Sequence, residues 1–183
     1  MKRILRILLI VFLFLILSLK TTVPSGVNEE VKRIQMTQSL NFLELMRYEQ
    51  ELDLFINQLG YDESRNNWLQ TNRLGAIGEY QIMGKTLKFL GYGHITISKF
   101  KNNPNIFPPE LQKQVLKELM VINTLILKDF IKDFEGMEIK ENKITKAGIL
   151  AACHLGGPKS VRLYLISNGA INKKDIFGTS IET

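Results

Sequence analysis

Apolar residues recur every three or four positions through most of the chain, which is the spacing of one face of an α-helix. This pattern predicts helices over 31–64, in one segment or two, and over 110–134, where Pro109 suits the first helical position. The second of these is long and amphipathic, with an apolar stripe of Leu111, Val115, Leu119, Ile122, Ile126 and Phe130. Shorter helices are predicted over 85–91, 144–155 and 159–167.

Glycine and proline residues mark the ends of these helices. Gly91 should close the helix over 85–91, the Gly-Gly-Pro at 156–158 should separate the last two helices, and Asn168-Gly169 should cap the final one. Residues 77–83 alternate apolar and polar side chains after a glycine-containing turn, which predicts a short strand or hairpin. The stretches 21–30 and 100–109 read as a linker and a loop. The predicted fold class is therefore α+β, mostly α.

The amino end has the pattern of an export signal. Basic residues precede an unbroken apolar run over 7–17, which is shorter than the roughly 20 residues that a spanning helix needs. A buried core helix is the alternative, although the run has no polar face. The sequence predicts a signal peptide or membrane anchor over 1–25 and one exported domain over 26–183, in the periplasm, the cell envelope or outside the cell. If the leader stays uncleaved, residues 1–20 would attach the protein to the inner membrane.

The charge of the chain is concentrated at this amino end. The formal net charge is +6, with 24 Lys and Arg against 18 Asp and Glu. Removing the first 20 residues removes four basic residues and no acid, namely Lys2, Arg3, Arg6 and Lys20. The remaining body is nearly neutral and has no basic stripe with interleaved aromatic residues, so we expect no nucleic-acid partner. The single cysteine, Cys153, excludes an internal disulfide and argues against a zinc or redox site.

One acid occupies a position where the helical pattern calls for an apolar residue. Leu52, Ile56, Leu59 and Glu63 are spaced four, three and four apart, so they share one helix face. Gly60, one turn before Glu63, leaves room for another segment to approach. A glutamate on that face would be partly removed from water, which raises a carboxyl pKa and suits a general acid. The alternative is that Gly60 ends the helix and Glu63 is an exposed loop acid.

Three short motifs follow one another along the body: Glu63-Ser64, the stretch 78–81 (Gly-Glu-Tyr-Gln) and the stretch 152–156 (Ala-Cys-His-Leu-Gly). In this order they resemble the Glu-Ser, Gly-x-x-Gln and Ala-Tyr-Asn-x-Gly motifs of lysozyme-like domains of the soluble lytic transglycosylase (SLT) type, in a divergent branch. The resemblance spans about 52–164. In the third motif, Cys153 and His154 stand in place of the tyrosine and asparagine.

The resemblance implies a lysozyme-like domain that cleaves the β-1,4 bond between N-acetylmuramic acid (MurNAc) and N-acetylglucosamine (GlcNAc) in peptidoglycan. It implies that Glu63 is the catalytic acid of a lytic transglycosylase, which forms 1,6-anhydro-MurNAc without a metal or cofactor. The partner would be the glycan strands of peptidoglycan. The residues that would bind or support the substrate are Ser64, Gly78, Glu79, Tyr80, Gln81 and His154.

Several of these residues have a second interpretation. Glu79 shares a strand face with Gln81 if the stretch is extended, and as a second carboxylate it would allow a hydrolytic lysozyme; otherwise it is an exposed turn residue. His154 either lines the cleft or is a satisfied core residue. Trp68 and Tyr80 either stack on sugars or pack in the core.

We expect structural roles for the two remaining residues with reactive side chains, His94 and Cys153. His94 lies in a turn without an obvious partner. Cys153 is expected to be a small packing residue, because adjacent positions on one helix point about 100° apart and cannot form a Cys-His nucleophile pair. The altered third motif also leaves open a non-catalytic peptidoglycan-binding module on the same fold.

Overall fold

The structure is a computed structural model that describes residues 25–174, with side-chain exposure described from residue 29. The chain divides into two units, Met1–Gln50 and Glu51–Thr183. No helix within the described residues is long and apolar enough to cross a membrane. The apolar run over 7–17 lies outside those residues, so the leader and the boundary after residue 25 stay predictions.

The first described element is one continuous helix, α1, Ser25–Ser64, of 40 residues. The possibility of two segments over 31–64 is therefore wrong, and so is the linker where it covers residues 25–30. These residues contain no proline, and each residue added to an existing helix gains a hydrogen bond. In the first unit the described side chains are almost all exposed, including the apolar residues Val31, Ile34, Leu40 and Leu43. From Glu51 on, the helix belongs to the second unit.

The second unit continues with a small hairpin and three short helical segments. Strands β1, Ala76–Ile77, and β2, Ile82–Met83, pair antiparallel. They are followed by helices α2, Gly84–Phe89, and α3, Ile97–Asn102, and by a 3₁₀ turn, Pro104–Ile106. The loop predicted over 100–109 is therefore partly wrong. Thr96 caps α3 by accepting the Lys99 N–H, and Phe100 is buried beneath it, so helix formation begins before the proline.

The helix predicted over 110–134 is two helices, α4, Pro109–Ile126, and α5, Lys128–Phe134. Pro109 begins α4, as predicted. The break falls at Leu127, whose side chain is fully buried and whose backbone leaves the helical region. The predicted stripe is correct at Val115 but wrong at Ile126, which is exposed. The break turns α5 toward a different core, so one straight stripe cannot describe both helices.

The chain ends, within the described residues, with a second hairpin and a long helix. Strands β3, Glu138–Ile139, and β4, Asn142–Lys143, precede helix α6, Lys146–Ile166. Gly157, with φ 76° and ψ 162°, interrupts α6 at the predicted position. Asn168 and Gly169 both have positive φ and follow its end, which confirms the predicted cap.

Two apolar cores hold these elements together. The first core is formed by α1, the first hairpin, α2, α3 and the start of α4, through Ile56, Ile77, Tyr80, Ile82, Leu87, Ile95, Phe100, Phe107, Val115 and Leu116. The second core is formed by α5, α6 and the second hairpin, through Leu127, Ile131, Ile139, Ile144, Ile149, Cys153, Val161, Tyr164 and Leu165. The described helices and short strands confirm the predicted fold class, α+β and mostly α.

Candidate functional site

Glu63 lies in the last turn of α1, on the face that packs into the first core. Ile56 is fully buried, and Leu52 and Leu59 pack against the same core. The helix runs through Gly60 to Ser64, and only 27% of the Glu63 side chain is exposed. The interpretation of Glu63 as an exposed loop acid after a helix end at Gly60 is therefore wrong. The apolar spacing correctly placed the acid against the core.

Gly60 makes room for another carboxylate beside this helix. A Cβ atom at Gly60 would lie 2.7 Å from Glu79 Oε1 and 2.9 Å from Asn66 Oδ1, which is closer than real Cβ contacts allow. The absence of a side chain at this position thus lets the turn that carries Glu79 approach α1. Glu79 therefore lies beside Gly60, one turn before Glu63 on the same helix.

Ser64 supports the end of α1. Its hydroxyl donates to the Gly60 carbonyl at 3.2 Å and accepts the Asn67 N–H at 3.0 Å. Arg65 and Asn66, with φ of 58° and 60°, then turn the chain out of the helix. Ser64 is therefore a residue that fixes the helix end directly after Glu63, and its predicted contact with substrate stays a prediction.

Residues 78–81 form the tight turn between β1 and β2. Gly78 has φ 82° and Gln81 has φ 47°, and the Gln81 side-chain amide donates to the Gly78 carbonyl at 2.9 Å. The stretch is a turn and is not extended, so the condition under which Glu79 and Gln81 would share a strand face is not met. The prediction of a hairpin over 77–83 is confirmed. The positive φ at Gly78 is the reason that the strands stop here.

The side chain of Gln112, on α4, holds this turn in place. Its side chain is fully buried; Oε1 accepts the Glu79 N–H at 2.6 Å, and Nε2 donates to the carbonyls of Phe107 at 2.7 Å and Trp68 at 3.0 Å. Gln112 is not among the site residues that the sequence motifs predict. The signal was present, because Gln112 lies three and four positions before Val115 and Leu116, both fully buried core residues on the same helix face.

His154 of α6 joins the other two motifs. Its Nε2 lies 2.8 Å from the Tyr80 carbonyl oxygen and 3.5 Å from Glu63 Oε1. Because a carbonyl oxygen can only accept a hydrogen bond, Nε2 carries the proton and donates a hydrogen bond to the Tyr80 carbonyl. Burial lowers the pKa of His154, which the hydrogen bond to Tyr80 partly opposes, so the imidazole is neutral near pH 7. Its Nδ1 is then a bare acceptor, buried and without a hydrogen-bond partner among residues 25–174.

Tyr80 and Trp68 both contribute to the first core. Tyr80 is only 3% exposed and belongs to the first core, so its ring offers no face for a sugar to stack on. Burial raises the pKa of Tyr80, and the adjacent Glu79 carboxylate raises it further by its charge and a hydrogen bond, so the phenol stays neutral. Trp68 is half-buried and packs against the same core. For Tyr80 the core interpretation is correct.

No family model, curated protein or solved structure matches this chain. The assignment of function therefore depends on the residues and their geometry. The geometry brings together one residue or backbone group from each of the three motifs: the carboxylate of Glu63, the carbonyl of Tyr80 and the imidazole of His154.

The remaining candidates lie away from this cluster or are inert. Cys153 is buried, and its burial raises the pKa of the thiol to about 12 against the opposing charge of Arg162, so it packs as a neutral side chain. His94 is exposed, with its ring 6.4 Å from that of Tyr92. Between residues 25 and 174, no three His, Cys, Asp or Glu side chains gather as metal ligands would.

The neutral His154 makes a testable contribution to stability. The folded-state pKa is lower than the usual 6.5, so below pH 6.5 the unfolded chain binds a proton that the folded chain does not. The free energy of unfolding should therefore fall by up to about 1.4 kcal/mol per pH unit below that value, and level off below the folded pKa. Urea unfolding between about pH 7.5 and pH 5 measures this. The His154→Gln variant should lose this part of the slope, whereas His94→Gln should retain it; equal slopes in both variants would contradict the assignment.

Proposed function

We propose that the protein is a peptidoglycan-cleaving glycosidase, and specifically a lytic transglycosylase that cuts the MurNAc–GlcNAc β-1,4 bond. The observation that carries this proposal is the meeting of the three motif segments at His154 Nε2, beside a half-buried carboxylate. A cluster of one acid, one neutral imidazole and one backbone carbonyl suits a reaction that moves a single proton out and back. The apolar run over 7–17 supports a place in the cell envelope, anchored there if the leader is retained.

In this proposal Glu63 acts first as an acid and then as a base. Its protonated carboxyl gives a proton to the bridging oxygen as the bond from that oxygen to C1 of MurNAc breaks. The resulting carboxylate takes the proton of the MurNAc 6-hydroxyl as O6 attacks C1, so Glu63 returns to its starting state. His154 stays neutral throughout: its Nε2–H donates to Tyr80 O, and this bond holds the ring with Nε2 3.5 Å from Glu63 Oε1, beside the carboxyl group.

Only one carboxylate is needed because the substrate supplies its own nucleophile. Enzymes that hydrolyse the bond with water usually place two carboxylates on either side of it, about 5–9.5 Å apart. The position of Glu79 favours hydrolysis as the second candidate function. Its carboxylate lies against Gly60, one turn from Glu63, on the same end of α1. However, the Glu79 carboxylate accepts a hydrogen bond from the hydroxyl of the buried Tyr80, which supports a structural role for Glu79.

Digestion of purified sacculi with the full chain, followed by mass spectrometry of the released muropeptides, tests the proposal. We expect anhydro-MurNAc products, each one water lighter than the hydrolysed form. Hydrolysed products that disappear in Glu79→Gln would support the lysozyme alternative instead. Sacculi that bind the folded protein but release nothing would favour the non-catalytic binding module, which the altered third motif, with Cys153 and His154, leaves open.

A further inference from the structure

Gln112 occupies an unusual place for a glutamine, at the centre of the first core. It is fully buried, and every bonding group of its amide that the structure describes meets a backbone group of another segment. The three partners belong to the loop after α1, to the turn between β1 and β2, and to the loop before α4. A buried amide costs free energy unless it is satisfied, so these three bonds also fix the orientation of the amide.

The bond to the Glu79 N–H connects Gln112 to the proposed reaction centre. Glu79 precedes Tyr80, whose carbonyl holds His154 at 2.8 Å, and His154 lies 3.5 Å from the Glu63 carboxylate. A chain of contacts thus runs from Gln112 through the turn to His154 and Glu63. The turn can pack closely on the Gln112 amide because Gly78 has no side chain: a Cβ atom there would overlap that amide.

We propose that Gln112 is the positioning residue of the Glu63–Tyr80–His154 cluster. Its amide fixes the position of the turn relative to α4, and thereby the place where the Tyr80 carbonyl holds the imidazole. The expected effect of Gln112 on kcat rests on the proposed function of Glu63, whereas its expected effect on the position of His154 does not. The bonds within the turn, from Gln81 to Gly78, give the turn its shape. Gln112 instead ties the turn to α4, and so fixes it relative to the rest of the second unit.

The first arm of the test is kinetic and uses the full chain. The Gln112→Met variant keeps the volume but loses all three bonds. We expect kcat on sacculi to fall roughly 10- to 100-fold with little change in KM, because small displacements at a reaction centre have effects of that size. Gln112→Glu, which keeps an acceptor for the Glu79 N–H and one donor when protonated, should lie between that variant and the wild type. Asn123→Leu, which removes another buried amide of α4, is the matched control and should keep kcat.

The second arm reads the imidazole directly by NMR. The chain has two histidines, and the exposed His94 is an internal reference. In Gln112→Met the ring nitrogen signals of His154 should shift toward those of a weaker hydrogen bond at Nε2, while those of His94 stay in place. Asn123→Leu should move neither set.

The two arms separate failure of this inference from failure of the proposed function. If the wild type releases no products, the proposed function fails, and the His154 signals alone decide the role of Gln112. Unchanged His154 signals in folded Gln112→Met, or a loss of activity that only follows the fraction unfolded, would overturn the inference. If Gln112→Met does not fold, the His154 signals of Gln112→Glu decide instead: a shift in the direction of a weaker hydrogen bond at Nε2 supports the inference, and unchanged signals overturn it.

Discussion

Replacing Glu63 with glutamine should abolish the release of anhydro-muropeptides while leaving the protein folded. The amide has the same shape as the carboxyl group and keeps an oxygen at the position that lies 3.5 Å from His154 Nε2. It cannot, however, give a proton to the bridging oxygen or take one from the 6-hydroxyl. We expect the rate of product release to fall by roughly 10²–10⁴, the usual contribution of a positioned general acid. Muropeptide release from sacculi and the thermal unfolding midpoint are the two measurements.

Asp62→Asn is the matched control for this variant. Asp62 is the preceding residue, is exposed, and accepts a hydrogen bond from Gln58 on the same helix. The change removes a carboxylate of the same helix turn on the face away from the core, so activity should stay near that of the wild type. Full activity in a folded Glu63→Gln protein would remove Glu63 from the mechanism. Equal losses in both variants would point to a general effect of charge.

The second large effect is expected on stability, from Gly78→Ala. Gly78 has φ 82°, and a Cβ atom there would also overlap the side-chain amide of Gln112. The left-handed backbone costs about 1–2 kcal/mol for a residue with a side chain. Displacing Gln112 would in addition leave buried backbone groups unpaired, at about 1–3 kcal/mol each. We therefore expect the free energy of unfolding to drop by about 3–5 kcal/mol, measured by urea denaturation.

Gly75→Ala separates the two causes. Gly75 lies just before the same hairpin, has φ 86°, and has nothing within 4 Å of the position where a Cβ atom would lie. This variant should show the cost of the backbone conformation alone, about 1–2 kcal/mol. Equal losses for the two variants would mean that the contact with Gln112 contributes nothing. A larger loss for Gly75→Ala would contradict the structure around the turn.

Local patterns in the sequence predicted the features that depend on nearby residues. The periodicity of Leu52, Ile56 and Leu59 placed Glu63 on the core-facing side of a helix, because helix geometry relates residues a few positions apart. The kink at Gly157 and the start of α4 at Pro109 follow in the same way from the restricted or permissive backbone of single residues.

Features that depend on distant residues could not be predicted in this way. Gln112 looks like an ordinary polar position of an amphipathic helix until the turn at Glu79, 33 residues away in sequence, is packed over it. The break at Leu127 has no glycine or proline to signal it, since it follows from the burial of that side chain in a second core. The alternation over 77–83 does not show where the strands end and the turn at 78–81 begins, because that turn is closed by the side chain of Gln81.

The meeting of His154 with Tyr80 has a consequence for the order of events during synthesis. These residues are 74 positions apart in sequence, and Glu63 is farther still from His154. Contacts between such distant residues form late in folding, because the chain between them must first be closed into a loop. A nascent chain that has not yet reached α6 therefore carries Glu63 without its imidazole neighbour. The cluster comes into being only once most of the second unit has left the ribosome.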